Sequence, residues 1–372
     1  MVENHGRRAL VIGAGVIGLT TALSLRRRGW NVTVVAESFA PEVTSTAAGA
    51  VWEWPPSVCG RHHDEILLEK SKAWAMASYE QFQALAARPQ ETGVFIRPAV
   101  FYFRYPIASR PAELAKMHDI ARHVPGFVHD PALADVGGVS PEAGVQDAYS
   151  YLAPVVDTEK YMSWLQGEAL NAGCRLVPHR VSDDLREHEQ ELREKFGVEV
   201  IVNCSGLGSI ELAGDTALSP HRGALIRVRN DGTKMPRITS VHAVANDADT
   251  DEQDMIFIVP KGEDRLLLGG LVEPDEWGLD IDLDNYQPVR DMLRRCIDFF
   301  PVLAQAEIDE FEPVRAGLRP FRTHSIRLEA EPGSRIVHNY GHGGAGVTLS
   351  WGCAEDATRL VEQLAGESLE VA

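Results

Sequence analysis

Three glycines and one acid near the start of the chain have the types and spacing needed to hold a phosphate-containing ligand. Gly13, Gly15 and Gly18 form a G-x-G-x-x-G motif between an apolar, strand-like run and a helical pattern. In such a motif the first glycine permits a tight turn, the second lets a pyrophosphate approach the backbone, and the third lets helix and strand pack closely. Glu37 closes the second strand, where a carboxylate can accept hydrogen bonds from ribose hydroxyls. The stretch 9–37 therefore predicts a dinucleotide site, with an ordinary βαβ turn as the alternative.

A second Gly-rich loop, HNYGHGGAG at 338–346, precedes a helical pattern near the end of the chain. The N-terminus of a helix offers free N–H groups and the positive end of the helix dipole to an anion. One such helix suffices for the pyrophosphate of a nicotinamide dinucleotide, whereas a flavin profits from a second one beside the ring edge that becomes negative on reduction. Thr348 can add a hydroxyl there, and His342 is interpreted as orienting the loop rather than exchanging protons.

The remaining patterns divide into two kinds and predict an α/β fold. Strand patterns at 9–12, 32–36, 174–181 and 198–206 alternate with helices, which favours one parallel sheet. Strand patterns at 94–105 and from 223 to about 273 follow one another with short turns, which favours a second, antiparallel sheet. Helical spacing is present at 64–87, 112–123, 157–172, 183–196, 289–300 and 347–364, and loops are predicted at 44–49 and 130–145.

Composition excludes several classes of partner. The 36 basic and 54 acidic residues give a formal net charge of −18, which repels nucleic acid and anionic lipid. No window approaches the roughly 18 apolar residues of a membrane span. The N-terminal residues have no apolar region of the kind a secretion signal needs. We expect a cytoplasmic protein with no nucleic-acid or membrane partner.

The cysteine and histidine patterns indicate neither disulfides nor a metal. The five cysteines are odd in number and contain no C-x-x-C pair, so we expect reduced and mostly buried thiols. They are Cys59, Cys174, Cys204, Cys296 and Cys353. The run RHHD at 61–64 is interpreted as a surface turn rather than a metal site, because no further cluster has the spacing of metal ligands.

Five stretches together resemble the D-amino-acid oxidase family of FAD enzymes, which also includes D-aspartate oxidase. They are VIGAGVIGLTTAL at the start, AAGAVW after the Thr/Ser-rich loop, VIVNCSG in the middle, GLRP followed by IRLE, and HNYGHGGAGVTLSWGCA at the end. The resemblance implies a Rossmann-like FAD-binding domain (1–55, 150–222 and 313–372). It also implies a second, mainly antiparallel β (α+β) substrate domain (56–149 and 223–312).

The resemblance implies FAD as the cofactor and assigns contacts along its whole length. The pyrophosphate comes first in the chain, then the adenosine ribose, the isoalloxazine, the adenine and finally the flavin border. In chain order the implied contacts are Gly13, Ala14, Gly15, Val16, Ile17, Gly18, Glu37, Ser38, Thr44, Ser45, Ala48, Gly49, Ala50, Val181, Ser205, Gly206, Gly317, Gly343, Gly344, Ala345, Gly346, Val347 and Thr348.

On the substrate side, Arg319 matches the arginine that binds the substrate carboxylate, and the Gly344 carbonyl is expected to accept from the substrate amine. Arg319 could instead pair with an acid such as Glu312. The sequence also departs from the family. Phe257 stands where a tyrosine precedes Ile-Ile-Pro, Gln253 stands where a second tyrosine is frequent, and Ala345 replaces a bulky aromatic residue. Losing a phenol that donates to a carboxylate costs about 1–3 kcal/mol, so we expect a more apolar and roomier pocket.

The activity implied is that of an oxidase acting on a D-amino acid or an amino-acid-like amine. In this chemistry a hydride passes from the carbon beside the nitrogen to flavin N5, water hydrolyses the imine, and O2 is reduced to H2O2. The protein mainly positions the carbon, which agrees with the absence of a Ser/His/Asp or Cys/His arrangement in the sequence. The alternatives are an oxygen-avoiding flavin or NAD-dependent dehydrogenase and a non-catalytic nucleotide-binding protein. The expected partners are a small-molecule amine and O2, and a homodimer is left open.

Overall fold

The computed structural model describes residues 7–54, 65–244 and 255–366 of the chain. The strands are, in chain order, β1 (Arg8–Ile12), β2 (Asn31–Ala36), β3 (Val94–Phe103), β4 (Val128–His129), β5 (Asp147–Val156), β6 (Arg175–Pro178), β7 (Val200–Asn203), β8 (Leu218–Arg229), β9 (Val241–Val244), β10 (Ile256–Lys261), β11 (Arg265–Gly269), β12 (Glu273–Pro274), β13 (Val314–Arg322), β14 (Arg327–Ala330) and β15 (Ile336–Tyr340). The helices are α1 (Val16–Arg27), α2 (Glu65–Leu85), α3 (Pro89–Thr92), α4 (Pro111–Ile120), α5 (Leu133–Gly137), α6 (Thr158–Asn171), α7 (Leu185–Phe196), α8 (Ser209–Leu212), α9 (Gln287–Phe299) and α10 (Gly346–Gly366).

The first sheet has six strands in the order β14-β15-β7-β1-β2-β6. The five strands from β15 to β6 are parallel, and β14 pairs antiparallel with β15 at the edge. β1 and β7 are apolar on both faces and almost entirely buried, as strands in the middle of a helix-covered parallel sheet must be. This sheet confirms the predicted α/β fold.

Two helices that begin at opposite ends of the sequence pack together on this sheet. The first, α1, is built largely of small and aliphatic residues, and the hydroxyl of Thr20 donates to the Ser350 carbonyl of α10 at 3.2 Å. Gly346, the first residue of α10, would place a Cβ only 3.9 Å from Cγ1 of Val16, the first residue of α1. The starts of the two helices are therefore neighbours.

The second sheet has nine strands in the order β12-β8-β11-β10-β9-β3-β5-β4, with β13 also paired to β8. Its pairings are antiparallel except that between β3 and β9. One face packs on α9, whose Val289, Met292, Cys296 and Phe299 are buried against it. The expectation that 94–105 belongs to a different sheet from the dinucleotide motif is confirmed.

Some boundaries differ from the sequence-based expectation. β13 was expected in the FAD-binding part of the chain, but it pairs with β8 in the nine-stranded sheet over the register Val314–Ile226 to Arg322–Leu218. The pairing joins segments far apart in sequence, so no local pattern reveals it. The domain boundaries themselves stay a prediction. Within 44–49, Thr44–Ala47 is a 3-10 helix rather than a loop, because the Thr46 hydroxyl donates to the carbonyls of Pro41 and Val43. Within 130–145, α5 interrupts the predicted loop.

Cys174, Cys204, Cys296 and Cys353 are buried thiols that take part in no disulfide among the described residues, as expected. Cys59, the run 61–64 and Gln253 lie outside the described residues. Over the three described ranges, no group of His, Cys, Asp or Glu side chains has the arrangement of a metal site. No helix in the same ranges has the length and apolar character needed to cross a bilayer.

Candidate functional site

A cavity of about 890 Å³ is lined by residues of both sheets. Its lining includes the segments that directly follow β1, β2, β7 and β15, and these are the carboxyl ends of the parallel strands. Parallel α/β sheets bind ligands at this edge because the helices that follow the strands point their N-termini there. With the exception of Gly18, every residue that the sequence assigned to cofactor or substrate lines this one cavity.

The Gly-rich turn after β1 is shaped by contacts that exclude side chains. Gly13 has φ +108°, and a Cβ there would clash with the carbonyl of Cys204. A Cβ at Gly15 would meet only Ser45 Oγ, at 3.2 Å, so Gly15 presents bare backbone to the cavity. A Cβ at Gly18 would clash with the carbonyl oxygen of Gly13. The position of Gly18 agrees with the packing role expected of the third glycine.

Not all of the N–H groups at the start of α1 are available to a ligand. Val16 N–H donates to Ser45 Oγ at 3.0 Å, which ties the Thr44–Ala47 turn to the helix. Within the described part of the chain, the N–H groups of Ile17 and Gly18 have no protein acceptor. The positive end of the helix therefore keeps two donors for an anion.

The far end of the cavity carries the residues expected near adenosine. Glu37, Ser38, Val181, Ser205 and Gly206 all line it. The Glu37 side chain is 69% exposed and lies 3.6 Å from Nη1 of Arg180, which also lines the cavity. An exposed acid with a cation at this distance can still turn toward a ribose, because surface ion pairs are weak.

The segment 44–50 forms the floor of the middle of the cavity. The absence of a side chain at Gly317 on β13 leaves room for Ala47, whose Cβ would lie 2.9 Å from a Cβ at that position. Ala50 has φ +51°, a left-handed conformation that costs a residue with a Cβ about 1 kcal/mol and tends to occur at functional sites. A backbone held in this way presents no protruding side chain to a flat ligand.

The second Gly-rich loop lies opposite this floor. Gly343, Gly344, Ala345, Gly346, Val347 and Thr348 all line the cavity. They comprise a 3-10 turn and the first residues of α10, so the N-termini of α1 and α10 face the same space. His342, which precedes them, is fully buried, and burial lowers its pKa to about 3. A neutral imidazole fits the interpretation of His342 as a residue that orients the loop.

Arg319 projects into the substrate end of the cavity from β13. Its guanidinium lies directly over Gly223, where any side chain would collide with it. Nη1 donates to the carbonyls of Arg222 at 3.3 Å and Leu271 at 3.2 Å. Among the described residues, no acceptor binds Nε or Nη2, and no carboxylate lies within 4 Å. Burial lowers the pKa of Arg319 without making it neutral.

The alternative partner for Arg319 is occupied elsewhere. Glu312 accepts hydrogen bonds from Arg227 and Arg315 and does not reach Arg319. The Nε and Nη2 edge of Arg319 is thus left as a planar fork, the geometry that binds a carboxylate through two parallel bonds.

Two apolar residues belong to the lining of the same cavity. Phe257 lines the cavity, and its ring lies against Gly49, where a Cβ would clash with Cε1. Ala345 also lines the cavity and is almost fully buried. The wall next to the 44–50 floor therefore carries a phenyl ring and a methyl group where the related family has phenol and a larger aromatic ring.

Sequence reasoning missed His221. It is the residue directly opposite Arg319 in the β8–β13 pair, it lines the cavity, and its ring stacks on Phe321 with centroids 4.1 Å apart. Burial, together with the charge of Arg319, lowers the pKa of His221, while Asp275 opposes the shift. No signal in the sequence could have identified it, since its position depends on the register of two distant strands.

The residues present fit FAD rather than a smaller nucleotide. Bare backbone at Gly15 and two donors at the start of α1 suit a pyrophosphate, and an exposed acid suits a ribose. A second helix N-terminus borders the same cavity, which a nicotinamide dinucleotide does not need. FAD supplies, when bound, an acceptor for two electrons.

Comparison with known proteins agrees with this geometry. Residues 8–360 match the family model DAO, described as FAD dependent oxidoreductase. The chain is 34% identical over 372 residues to a D-amino-acid oxidase from Streptomyces coelicolor, covering 96% of this chain and 98% of the relative. It is 35% identical over 356 residues to a D-amino-acid oxidase from Rubrobacter xylanophilus, covering 95% of each.

Solved structures share the fold at much lower sequence identity. Glycine oxidase from Bacillus cereus has a TM-score of 0.72 and 18% identity, covering 96% of this chain and 95% of that one. L-proline dehydrogenase from P. horikoshii has a TM-score of 0.74 and 14% identity, covering 96% and 94%. From the family model and the curated relatives together, we conclude that this chain belongs to the D-amino-acid oxidase family of FAD-dependent oxidoreductases and is an FAD-dependent amine oxidoreductase.

Proposed function

We propose that the protein is an oxidase of D-amino acids, or of amino-acid-like amines, whose side chains are larger and more apolar than that of alanine. When bound, FAD would supply the acceptor for a hydride from the amine-bearing carbon, the resulting imine would be hydrolysed by water to a keto product and ammonia, and O2 would regenerate oxidised FAD and be reduced to H2O2. Two curated relatives that match almost the whole chain bear the name D-amino-acid oxidase, which supports this proposal.

The observation that carries the proposal is the free edge of Arg319. A half-buried, desolvated guanidinium without a described carboxylate partner is costly to maintain, since desolvation of a cation is not repaid by an ion pair. A carboxylate that enters the cavity would repay it through two charge-assisted bonds to Nε and Nη2. An amine that lacks a carboxylate would leave the cost in place, so the arginine selects α-amino acids or close analogues.

The rest of the substrate wall does the remaining positioning. The carbonyl of Gly344 is proposed to accept a hydrogen bond from the amine, which fixes the nitrogen while Arg319 fixes the carboxylate. Two fixed points leave the reacting carbon little freedom, and such orientation lowers the entropic part of the barrier. Phe257 and Ala345 line the cavity with apolar surface and favour a substrate side chain that excludes water.

A substrate screen tests the proposal directly. Purified holoprotein is mixed without oxygen with small and large D-amino acids, their L-enantiomers, glycine and amines lacking a carboxylate, and loss of the oxidised flavin absorption is followed. We expect bleaching by D-amino acids, fastest with bulky apolar side chains, and H2O2 equal to substrate consumed once air is admitted.

Two outcomes would contradict the proposal. If amines without a carboxylate bleach the flavin as fast as amino acids do, Arg319 does not select substrates by binding their carboxylate. Bleaching by D-amino acids followed by very slow recovery in air would indicate a dehydrogenase that uses an acceptor other than O2.

A further inference from the structure

A lysine is buried directly behind the cavity floor. Lys261, the last residue of β10, is 4% exposed and does not line the cavity. Its ammonium donates to the Ala48 carbonyl at 3.2 Å and to Thr158 Oγ1, and within the described ranges no carboxylate lies within 4 Å of Nζ. Buried lysines without such a partner are uncommon because desolvation penalises the charged form.

Thr158, the first residue of α6, completes this contact. It is fully buried, and its hydroxyl accepts from Lys261 and donates to the Thr46 carbonyl at 2.8 Å. The same oxygen lies 3.3 Å from the Ala48 carbonyl oxygen. Lys261 and Thr158 therefore hold the carbonyls of Ala48 and Thr46, two residues apart in the floor, from its buried side.

The peptide between Ala48 and Gly49 transmits this contact to the cavity. In a trans peptide the C=O and N–H groups point in opposite directions. Since the Ala48 carbonyl points toward Lys261, the Gly49 N–H points away from it, and Gly49 lines the cavity. No acceptor for this N–H exists among the described residues. A cation on the carbonyl withdraws electron density from the peptide and makes its N–H a stronger donor.

Burial disfavours the charge on Lys261 but does not remove it at neutral pH. Burial lowers the pKa of Lys261 to about 8. The nearby carboxylates of Asp157 and Glu159 raise this pKa, and the guanidinium groups of Arg265 and Arg315 lower it. The ammonium form therefore still dominates at neutral pH.

We propose that Lys261, supported by Thr158, is a positioning residue that fixes and polarises the Ala48–Gly49 peptide, so that the Gly49 N–H is offered to bound FAD as a strengthened donor. Reduction adds electron density to the flavin ring. A strengthened N–H donor therefore stabilises the reduced ring more than the oxidised ring. Lys261 thereby raises both the affinity for FAD and the midpoint potential of the bound flavin.

The test replaces Lys261 by Met, which keeps the length and removes the charge, and by Gln, which keeps one donor without the charge. FAD affinity is measured by titrating apoprotein, and the midpoint potential is measured on holoprotein at pH 7. We expect Lys261→Met to weaken FAD binding about tenfold, the effect of losing one charge-assisted hydrogen bond, and to make the potential more negative. Lys261→Gln should show the same direction with a smaller change in affinity.

Arg265→Gln is the matched control. Arg265 belongs to the same charged group but pairs with Glu159 and Asp157 and does not contact the floor. It should leave the potential unchanged. The proposal is overturned if folded Lys261→Met or Lys261→Gln holoprotein keeps the potential of the unmodified protein, whatever happens to affinity. It is also overturned if Arg265→Gln shifts the potential as much as Lys261→Met.

Discussion

The two ends of the cavity are built from different chemical groups, backbone at one end and side chains at the other. The dinucleotide end is made of bare backbone, in the turn after β1 and at the starts of α1 and α10. The substrate end is made of side chains carried by β8, β10 and β13 of the nine-stranded sheet, among which Arg319 carries a whole positive charge. A backbone site tolerates most changes except those at its glycines, whereas a side-chain site can be altered by one replacement.

The ends also attract their ligands differently. Helix N-termini offer partial charges that bind a phosphate without any ionisable group. Arg319 offers a whole charge in an apolar wall, where electrostatic interactions are stronger than in water. We therefore expect mutations at the substrate end to change turnover while leaving FAD bound, and mutations at the dinucleotide end to do the reverse.

Removing the charge at the substrate end should give the largest effect. Arg319→Ala deletes both charge-assisted bonds to the carboxylate, and we expect kcat/KM for D-amino acids to fall roughly 10³-fold. Steady-state kinetics measure this loss, and the flavin spectrum and FAD affinity should not change. Arg319→Lys keeps the charge without the planar fork, so its kcat/KM should lie between those of the unmodified protein and Arg319→Ala. Unaltered turnover in Arg319→Ala would show that the carboxylate binds elsewhere.

Filling the bare backbone at the opposite end should give the next largest effect. The Cβ of Gly15→Val would meet only Ser45 Oγ on the protein side and would otherwise enter the cavity. We expect the dissociation constant for FAD to rise roughly 100-fold, because the second glycine of the motif lets the pyrophosphate reach the backbone. Titration of apoprotein with FAD measures it.

The control for this change is Gly167→Val, at a glycine of α6 that has no atom near its Cβ position and lies outside the cavity. It carries the same substitution and should bind FAD normally. Equal FAD affinity in Gly15→Val and Gly167→Val would mean that the pyrophosphate does not pass over Gly15.

The difference between a backbone site and a side-chain site also explains which features of the cavity could be predicted from the sequence. The dinucleotide end depends on local geometry: a tight turn at Gly13, a helix directly after it, and a second Gly-rich turn before α10. Each of these features is encoded within a few adjacent residues, so the motifs could be read without knowing the fold. Even there, the bond from Val16 N–H to Ser45 Oγ was not foreseeable, since the two residues are joined only by tertiary structure.

The substrate end depends on register between distant strands. His221 faces Arg319 only because β8 and β13 pair in one particular alignment. Lys261 lies behind Ala48 only because β10 ends next to the start of α6. In the sequence it was merely one residue of the strand patterns between 223 and about 273. Arg319 itself was identified by resemblance to a family motif, and its free edge became visible only with the positions of Arg227, Arg315 and Glu312.

Two buried histidines, one on a strand of each sheet, should also respond differently to acid. His242 on β9 is buried with neutral partners, Tyr102 at 2.8 Å and Ser240 at 3.0 Å, and burial lowers its pKa to about 4. His338 on β15 is also buried, but Glu331 at 3.0 Å opposes the decrease in its pKa. Below its ordinary pKa of about 6.5, His242 binds a proton in the unfolded chain but not in the folded one. The free energy of unfolding should therefore fall as the pH drops from about 6.5 to about 4, by up to about 1.4 kcal/mol per pH unit.

Denaturant unfolding of apoprotein across this pH range measures the slope. His342 also has a pKa lowered by burial and contributes to the slope. His242→Gln removes one of these two titrating groups and should reduce the slope in part, whereas His338→Gln should reduce it less. A slope that is the same in unmodified protein and His242→Gln would show that His242 does not contribute to it.

The smallest effect is expected from restoring a phenol to the substrate wall. Phe257→Tyr adds one hydroxyl to a ring that lines the cavity beside Gly49. If that hydroxyl donates to the carboxylate beside Arg319, the gain should be about tenfold in kcat/KM, the value of one hydrogen bond to a charged group. The gain should appear with D-alanine and be smaller with a bulky D-amino acid, because the added polarity makes the wall less favourable for an apolar side chain.

Phe101→Tyr is the control and makes the same chemical change at another phenylalanine of the cavity, on β3. It should leave the ratio of kcat/KM between the two substrates unchanged. Equal changes in both variants would mean that position 257 does not face the carboxylate.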